Sequence, residues 1–344
     1  MVTPVQKPTK GFKAMARNLY DPLGFKKGYN FILWFIFAGA LFGFTLARFM
    51  HLDFSNNFCP ASSSSRGNGA APGECYYYVN FYQYKIGILL HLGGIIVHRI
   101  SGYAALLTYT ISLVGALMIA RHAFGGGLDI QAWIGFVGIG VLACFIVSYI
   151  NIKRLQIEQH RAWMLRGWFY AGSIITTRII MILVTIIISK TREYYTVWSF
   201  AKIEFTLPSS SMLLLQYPTC SSYVNGSNPA QVAPVLAKLD GDTGVNAGAA
   251  LNLSFGTGLW LAVVLHAIGV EIYLHLTPRE AERLRKVSYQ RQLEAGMRNP
   301  GSAGLTADRL GDADQWFYEE KSREDSDNTL TAVLPPTIAG EARE

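Results

Sequence analysis

Residues 81–97, FYQYKIGILLHLGGIIV, decide how this chain is threaded through a membrane. The stretch is at the lower length limit for a helix that crosses about 30 Å of hydrocarbon. It also contains Lys85, His91 and a Gly-Gly pair, all of which weaken a hydrophobic span. Whether it counts as a span fixes the side of the membrane on which every later segment lies.

The composition predicts a membrane protein. Of the residues, 51% are hydrophobic and 15% are charged, whereas a soluble domain has about 25% charged residues. The net charge of +7 could indicate nucleic-acid binding, but the cations gather beside apolar stretches, where the positive-inside rule explains them. The predicted partner is therefore the lipid bilayer and not nucleic acid. Residues 1–29 are polar and basic, so no cleavable signal peptide is expected.

Counting 81–97 as a span gives the most consistent topology. Five other apolar stretches have about 20 residues each, at 30–50, 101–120, 131–152, 167–189 and 255–276. With six spans, three groups of cations fall on one side, namely the basic N-terminus, the loop at 153–166 and the segment from Arg279 to Arg291. Because basic loops stay in the cytosol, we predict an all-α, polytopic bundle of about six transmembrane helices, the second one short, with both termini cytosolic.

This topology divides the chain into three parts. We expect a basic cytosolic segment at 1–29, a transmembrane domain at 30–277 and a cytosolic region at 278–344. The last part begins with a helix and becomes a disordered tail beyond about residue 296, where apolar residues are few. Segments 51–80 and 190–254 become extracytosolic loops, in a plasma or secretory-pathway membrane.

The extracytosolic loops contain features of an oxidising compartment. Cys59, Cys75 and Cys220 lie there, and an odd number leaves one thiol over. Cys59–Cys75 is the local pairing, and Cys75–Cys220 is the alternative that would join the two loops. Asn225-Gly-Ser is a glycosylation sequon on the same side.

Two His-Arg dipeptides open helices at the predicted cytosolic face. They are His98-Arg99 and His160-Arg161, and Arg166 follows the second. Helix N-termini present unpaired N–H groups, so with these cations they suit an anion such as phosphate or carboxylate. The alternative is that the arginines only anchor and orient the spans.

Arg178 is the most unusual residue, because it lies near the middle of a span. An arginine there should face protein or water and have a partner. On the last span, His266 lies at nearly the depth of Arg178 by rise arithmetic, and Glu271 lies closer to the cytosol. We expect Arg178 to point into the bundle near this span, either in a charge pair with Glu271 or in a pocket for a substrate, proton or cofactor.

Histidines suggest a second class of function. His91, His98, His160, His266 and His275 could supply two ligands to a haem b held between helices. No C-x-x-C or H-E-x-x-H pattern occurs, so no metal site is predicted. No nucleophile elbow, phosphate loop or nucleotide fingerprint indicates an enzymatic reaction either.

Two stretches resemble a known family. They are HRISGY (98–103) and NIKRLQIEQHRAWMLRGWFYAGSIITTRIIM (151–181), followed by YYTVW. They are similar to the membrane family called domain of unknown function 2306, and the fungal branch is the most similar. The family pattern falls on His98, Arg99, Gly102, Tyr103, His160, Arg161, Trp163, Met164, Arg166 and Arg178.

The resemblance covers roughly residues 85–190 and implies a fold and a membrane location but no reaction. One departure concerns the second span, because relatives have a full span and a polar turn where this chain has only residues 93–97. The sequence thus predicts a multi-pass membrane protein of unassigned activity. Its polar cavity, in the membrane or at the cytosolic face, would handle a small anionic molecule, and the alternative is a haem-b redox protein with two histidine ligands.

Overall fold

A computed structural model describes residue 17 and residues 28–59, 70–94, 102–240 and 244–318. The protein is mostly helical and forms two compact units. The first unit comprises residues 1–146 and 163–276, and the second comprises residues 147–162 and 277–344.

Twelve α-helices and two strands are present in the described residues, besides four short 3-10 or π turns. The helices are α1 (Gly28–Phe49), α2 (Cys75–Asn80), α3 (Tyr82–Gly94), α4 (Gly102–Ile119), α5 (Leu128–Lys153), α6 (Ile157–Thr191), α7 (Phe200–Thr206), α8 (Ser211–Gln216), α9 (Ser221–Val224), α10 (Gly244–His275), α11 (Pro278–Glu294) and α12 (Ala307–Leu310). The strands are β1 (Tyr195–Ser199) and β2 (Val232–Leu236).

Three of these helices, α5, α6 and α10, are long and apolar enough to cross a membrane. They contain the predicted spans 131–152 and 167–189 and all but the last residue of 255–276. Helices α6 and α10 have 35 and 32 residues and extend well past those spans at their first turns. The six-span topology and the cytosolic location of both termini remain predictions.

The decisive stretch at 81–97 is described as far as Gly94, where α3 ends after 13 residues. At 1.5 Å per residue this described helix is about 20 Å long. It packs closely on α4, since a Cβ atom added to Gly115 would lie 2.6 Å from the backbone nitrogen of His91. Small residues commonly permit such close approach between membrane helices.

The segment 190–254 contains a small sheet, which corrects the purely α-helical expectation. Strands β1 and β2 pair antiparallel, with Tyr195 opposite Leu236 and Ser199 opposite Val232. Alternation in Tyr-Thr-Val-Trp-Ser is the usual pattern of a half-buried strand. Its inward residue, Trp198, joins a buried core. The opposite face of this two-stranded sheet, the β1–β2 sheet, is exposed at Tyr195, Val197 and Val232.

The cysteines follow the local pairing. A disulfide joins Cys59 and Cys75, whose Cα atoms are 5.6 Å apart. Cys220 is a free, fully buried cysteine in the core around Trp198, so the alternative Cys75–Cys220 bridge is wrong. Cys144 is also free and buried.

The second unit is built around two buried amides. Gln156 accepts from the Gly304 amide at 2.8 Å, and Gln292 accepts from the Gly301 amide at 2.7 Å. Gln292 also donates to Gln156 at 2.9 Å. These bonds hold residues after α11 in place. The prediction of a disordered tail beyond about residue 296 is therefore wrong for residues 297–318, because buried side-chain amides satisfy their backbone groups.

An ion pair adds to this packing. Arg285 Nη2 lies 2.8 Å from Asp308 Oδ1. Burial alone would raise the pKa of Asp308, but hydrogen bonds, including one from Ser302, and the charge of Arg285 lower it to about 2. Asp308 is therefore ionised at any physiological pH.

Candidate functional site

Arg178 lies inside the first unit, on α6. Its Cζ atom is 4.9 Å from the ring centroid of Phe124 and 5.2 Å from that of Phe255. The two rings stack with centroids 4.0 Å apart. Phe255 belongs to α10, so the prediction that Arg178 points into the bundle near the last span is confirmed. Within the described residues, the buried Nε atom of Arg178 has no hydrogen-bond partner.

Phe124 reaches Arg178 from a strained turn between α4 and α5. Its φ and ψ are 47° and 46°, the left-handed region that non-glycine residues rarely adopt. Its amide donates a hydrogen bond of 2.7 Å to Glu74 Oε2. Strain of this kind costs of the order of 1 kcal/mol or more and persists only where surrounding contacts enforce it. The Glu74 carboxylate is one such contact.

Glu74 is the buried acid next to this turn. Lys202 Nζ lies 3.8 Å from Glu74 Oε1, and both side chains are 3% exposed. With its amide turned to face these acceptors, Asn252 donates to Glu74 Oε1 and to the carbonyl of Gly248 at 3.1 Å each. Glu74 therefore joins the disulfide loop, the α4–α5 turn, α7 and the start of α10.

Burial dominates the electrostatics of Glu74. It raises the pKa of Glu74 to about 6, although Lys202, the amides of Phe124 and Gly125, and Arg178 all favour the charged form. Burial also lowers the pKa of Lys202, against the attraction of Glu74. Lys202 Nζ in turn lies 3.9 Å from the ring centroid of Trp198. The carboxylate is thus close to protonation at mildly acidic pH.

A second arginine adds to the positive charge around Arg178. Arg48, near the end of α1, interacts electrostatically with Arg178, as does Glu74. We call Arg48, Glu74, Arg178 and Lys202 the Arg178 cluster. Lys202 and Arg178 both act on the Glu74 carboxylate, whereas Arg48 adds positive charge beside Arg178, so this set of three cations and one carboxylate carries excess positive charge. In the sequence only Arg178 lies in the middle of an apolar run, whereas the other three come from helix ends and loops.

Glu271 does not pair with Arg178. Arg166 donates two hydrogen bonds to the Glu271 carboxylate, at 2.7 and 3.0 Å, and its Cζ lies 5.0 Å from the ring of Trp163. The expected Arg178–Glu271 contact is wrong because Arg178 lies about 18 Å farther along α6 than Arg166. The groove beside Glu271 is lined by Ala267, Ile268, Ile272, His275 and Leu276, a mostly apolar set unlike the predicted polar cavity.

His266 lies on the Arg166 side of Arg178, because the part of α10 next to Arg178 is Gly258, where an added Cβ atom would lie 3.0 Å from the Thr177 carbonyl. Its Nδ1 atom lies 2.7 Å from the carbonyl of Phe169, and its Nε2 atom lies 2.8 Å from Thr176 Oγ1. Both ring nitrogens are therefore used in contacts with α6.

His91 and His160 share one local arrangement with serine. His91 Nδ1 lies 3.2 Å from the carbonyl of Ser112 and 3.1 Å from its hydroxyl, which donates to the His91 carbonyl. In the second unit, His160 Nδ1 lies 2.7 Å from Ser148 Oγ and 3.1 Å from the Ser148 carbonyl. A carbonyl facing Nδ1 assigns the proton to that nitrogen and leaves the lone pair on Nε2.

The remaining candidates lie apart from these groups. His98 and Arg99 fall outside the described residues. Arg161, in the second unit, has its Nη2 atom 3.5 Å from Thr277 Oγ1. His275 Nδ1 lies 2.8 Å from the Glu271 carbonyl. Among the described residues, no group of three or more His, Cys, Asp or Glu side chains could hold a metal ion.

The three long apolar helices α5, α6 and α10 indicate a membrane protein, and the match to a known family agrees with that. Residues 90–207 match the family DUF2306, described as a predicted membrane protein. The resemblance drawn from the sequence is thereby confirmed over that segment. No curated protein and no solved structure matches the chain.

Proposed function

We propose that this protein is a multi-pass membrane protein that binds a small anionic molecule at the Arg178 cluster. The observation that carries the proposal is the charge imbalance there, three cations to one buried carboxylate. Buried charges that lack a partner are costly, and removing one partner of a buried pair costs about 3–5 kcal/mol. A bound anion would offset that cost.

Arg178 is the residue that would contact the anion. Its buried Nε has no hydrogen-bond partner among the described residues, although a guanidinium offers five donors arranged to match a carboxylate or phosphate. Phe124 and Phe255 contact its guanidinium group but accept no conventional hydrogen bond. The site therefore supplies charge, unused donor capacity and apolar walls.

The topology proposed with this function keeps six spans and cytosolic termini in a plasma or secretory-pathway membrane. It is supported by the cations around the connection from α5 to α6, namely Lys153, Arg154 and Arg161, which are close together in the sequence. In this orientation the Arg178 cluster lies in the half of the bundle nearer the extracytosolic loops. The anion would enter from that side.

Anion-dependent stabilisation of the purified protein tests the binding proposal. Thermal unfolding in a non-ionic detergent would be followed with added acetate, inorganic phosphate or a short-chain phosphatidate, against matched chloride. We expect at least one of the three to stabilise the wild type and Arg178→Met to weaken binding about tenfold or more, which is 1.4 kcal/mol. Arg192→Met is the control, because Arg192 lies in an exposed pair with Asp240.

Protonation of Glu74 would remove the only carboxylate of the cluster, so we expect tighter anion binding at pH 5.5 than at pH 8. The proposal is overturned if none of the three probes stabilises the wild type, or if Arg178→Met responds to them as the wild type does.

Haem binding is the second candidate, and the histidine–serine arrangement favours it. A ligating histidine usually donates its other ring nitrogen to a carbonyl or carboxylate, which His91 and His160 do through Nδ1. His266 fits less well, because Thr176 contacts its Nε2. A Soret band that disappears in His91→Ala or His160→Ala would support haem, and colourless protein from haem-supplemented cells would exclude it.

A further inference from the structure

The exposed face of the β1–β2 sheet contains no charged residue. Side chains on the opposite face, Trp198, Ala233 and Val235, are 3%, 4% and 1% exposed. On the outward face, Tyr195, Val197 and Val232 are 57%, 65% and 54% exposed. The strand register places the outward side chains in three cross-strand pairs, Tyr195–Leu236, Val197–Pro234 and Ser199–Val232. An apolar patch of this kind on a small sheet indicates an interaction surface.

The β1–β2 sheet lies beside the ends of two apolar helices, α6 and α10. Its buried Trp198 packs against Gly248, since a Cβ atom added to that glycine would lie 2.7 Å from the indole ring. Gly248 is in the second turn of α10. After β2, Ala237 packs in one buried cluster with Ile188 of α6 and Ala250 of α10. The Leu239 amide also donates to Ser189 Oγ at 3.0 Å.

These contacts fix the depth of the β1–β2 sheet relative to the membrane. The apolar run of α6 ends at Ser189, directly before Lys190 and Arg192. About 20 helical residues span the hydrocarbon core, so a core that begins after Arg166 ends within a turn of Ile188. The β1–β2 sheet therefore lies at the level where the hydrocarbon meets the headgroups. Tyrosines prefer this level, and Tyr194 and Tyr195 both lie here with exposed rings.

We propose that the outward face of the β1–β2 sheet lies flat on the lipid bilayer at the end of α6. The lipid surface is favoured over a protein partner because the end of α6, at the level of the sheet, also exposes apolar side chains, with Ile186 and Ile187 39% and 61% exposed. A five-residue strand is about 17 Å long, so an upright sheet would carry Val232 well into water. A flat sheet keeps Tyr195, Val197 and Val232 at one depth.

Depth-dependent quenching tests this geometry. Single cysteines at Val197→Cys and Val232→Cys would carry an NBD fluorophore in phosphatidylcholine vesicles, with and without a lipid bearing a nitroxide near its headgroup. Cys144 and Cys220 are buried, so the unsubstituted protein gives the labelling background. Asn225→Cys, on an exposed turn, is the matched control.

We expect nitroxide lipid to remove most of the fluorescence at positions 197 and 232, and aqueous iodide to quench only position 225. Quenching by nitroxide lipid at position 197 but not at position 232 would mean that the β1–β2 sheet stands upright, and would overturn the proposal. Iodide quenching at both sheet positions would overturn it too. So would protection from iodide in detergent that depends on protein concentration, because it would indicate a second copy of the chain on this face. A variant counts only if it elutes as the wild type does, and Val197→Ser with a label at Tyr195→Cys provides a second test of the same face.

Discussion

Glu271 provides the sharpest test of the packing of α6 against α10. Replacing Arg166 by Met, Glu271 by Gln, or both, forms a double-mutant cycle on the bidentate pair. A second cycle combines Arg178→Met with Glu271→Gln, the pair that the sequence suggested. The two cycles share one partner, so they measure which arginine the carboxylate contacts.

The magnitude follows from the distance and exposure of the pair. Two unit charges about 3 Å apart attract by about 5 kcal/mol at an effective dielectric constant of 20. Desolvation offsets part of that energy. The side chains of Arg166 and Glu271 are 23% and 41% exposed, between fully exposed pairs, worth up to about 1 kcal/mol, and buried pairs, where breaking costs about 3–5 kcal/mol. We expect a coupling of about 2 kcal/mol for Arg166 and none for Arg178, because coupling fades beyond about 10 Å.

Reversible unfolding in mixed detergent and SDS micelles, followed by tryptophan fluorescence, would give these free energies of unfolding. Arg192→Met with Asp240→Asn is the control cycle, because that pair is also a direct contact, at 3.0 Å, but about 60% exposed on both sides. It should couple by less than about 1 kcal/mol. The helix register described above is refuted if Glu271 couples to Arg178 more strongly than to Arg166.

Three further outcomes are expected. A eukaryotic host should add a glycan at Asn225, seen as a mobility shift that glycosidase removes and Asn225→Gln lacks; its absence would contradict an extracytosolic 190–254. Because the pKa of Glu74 is raised from 4.5 to about 6, its contribution to stability should be greatest below pH 4.5 and fall by about 2 kcal/mol in total as pH rises through 6 to about 7. Glu74→Gln should remove that pH dependence, whereas an unchanged pH profile would contradict the burial of Glu74. Deleting residues 297–318 should destabilise the second unit by exposing Gln156 and Gln292, measured as faster proteolysis after Arg154, and equal proteolysis would argue against that packing.

The continuous apolar runs of α5, α6 and α10 are sufficient to predict these helices, because a run of about 20 apolar residues is typical of a transmembrane helix. The contacts between them were not predictable from the midpoints of the spans. The midpoints of the apolar runs predict Arg178 level with His266, yet α6 begins at Ile157 and α10 at Gly244. Both helices therefore extend about ten residues before their apolar runs, and because they run in opposite directions these extensions lie at opposite ends. Those extra turns shift the register by about 10 Å, enough to give Glu271 to Arg166.

The partners of Arg178 were hidden for a different reason. Glu74 precedes a disulfide cysteine, and Lys202 lies in a seven-residue helix beyond a strand, so neither has the apolar context that marks an intramembrane residue. The adjacent Cys75 was the only local signal, because a disulfide fixes the backbone beside it. Long-range contacts of this kind depend on how loops return to the bundle, which hydrophobic periodicity does not encode.

The distribution of charge along the bundle separates the two polar groups of the first unit. At one end, Arg166 and Glu271 balance each other through two hydrogen bonds, and nothing further is needed for neutrality. About 18 Å along the same helix, the Arg178 cluster contains three cations and one carboxylate, whose pKa is about 6. A helix that only needed anchoring would place such cations at its ends, where water solvates them. Excess charge within the packed helices is therefore a local property of the Arg178 cluster, and an anion from solution is the component that would complete it.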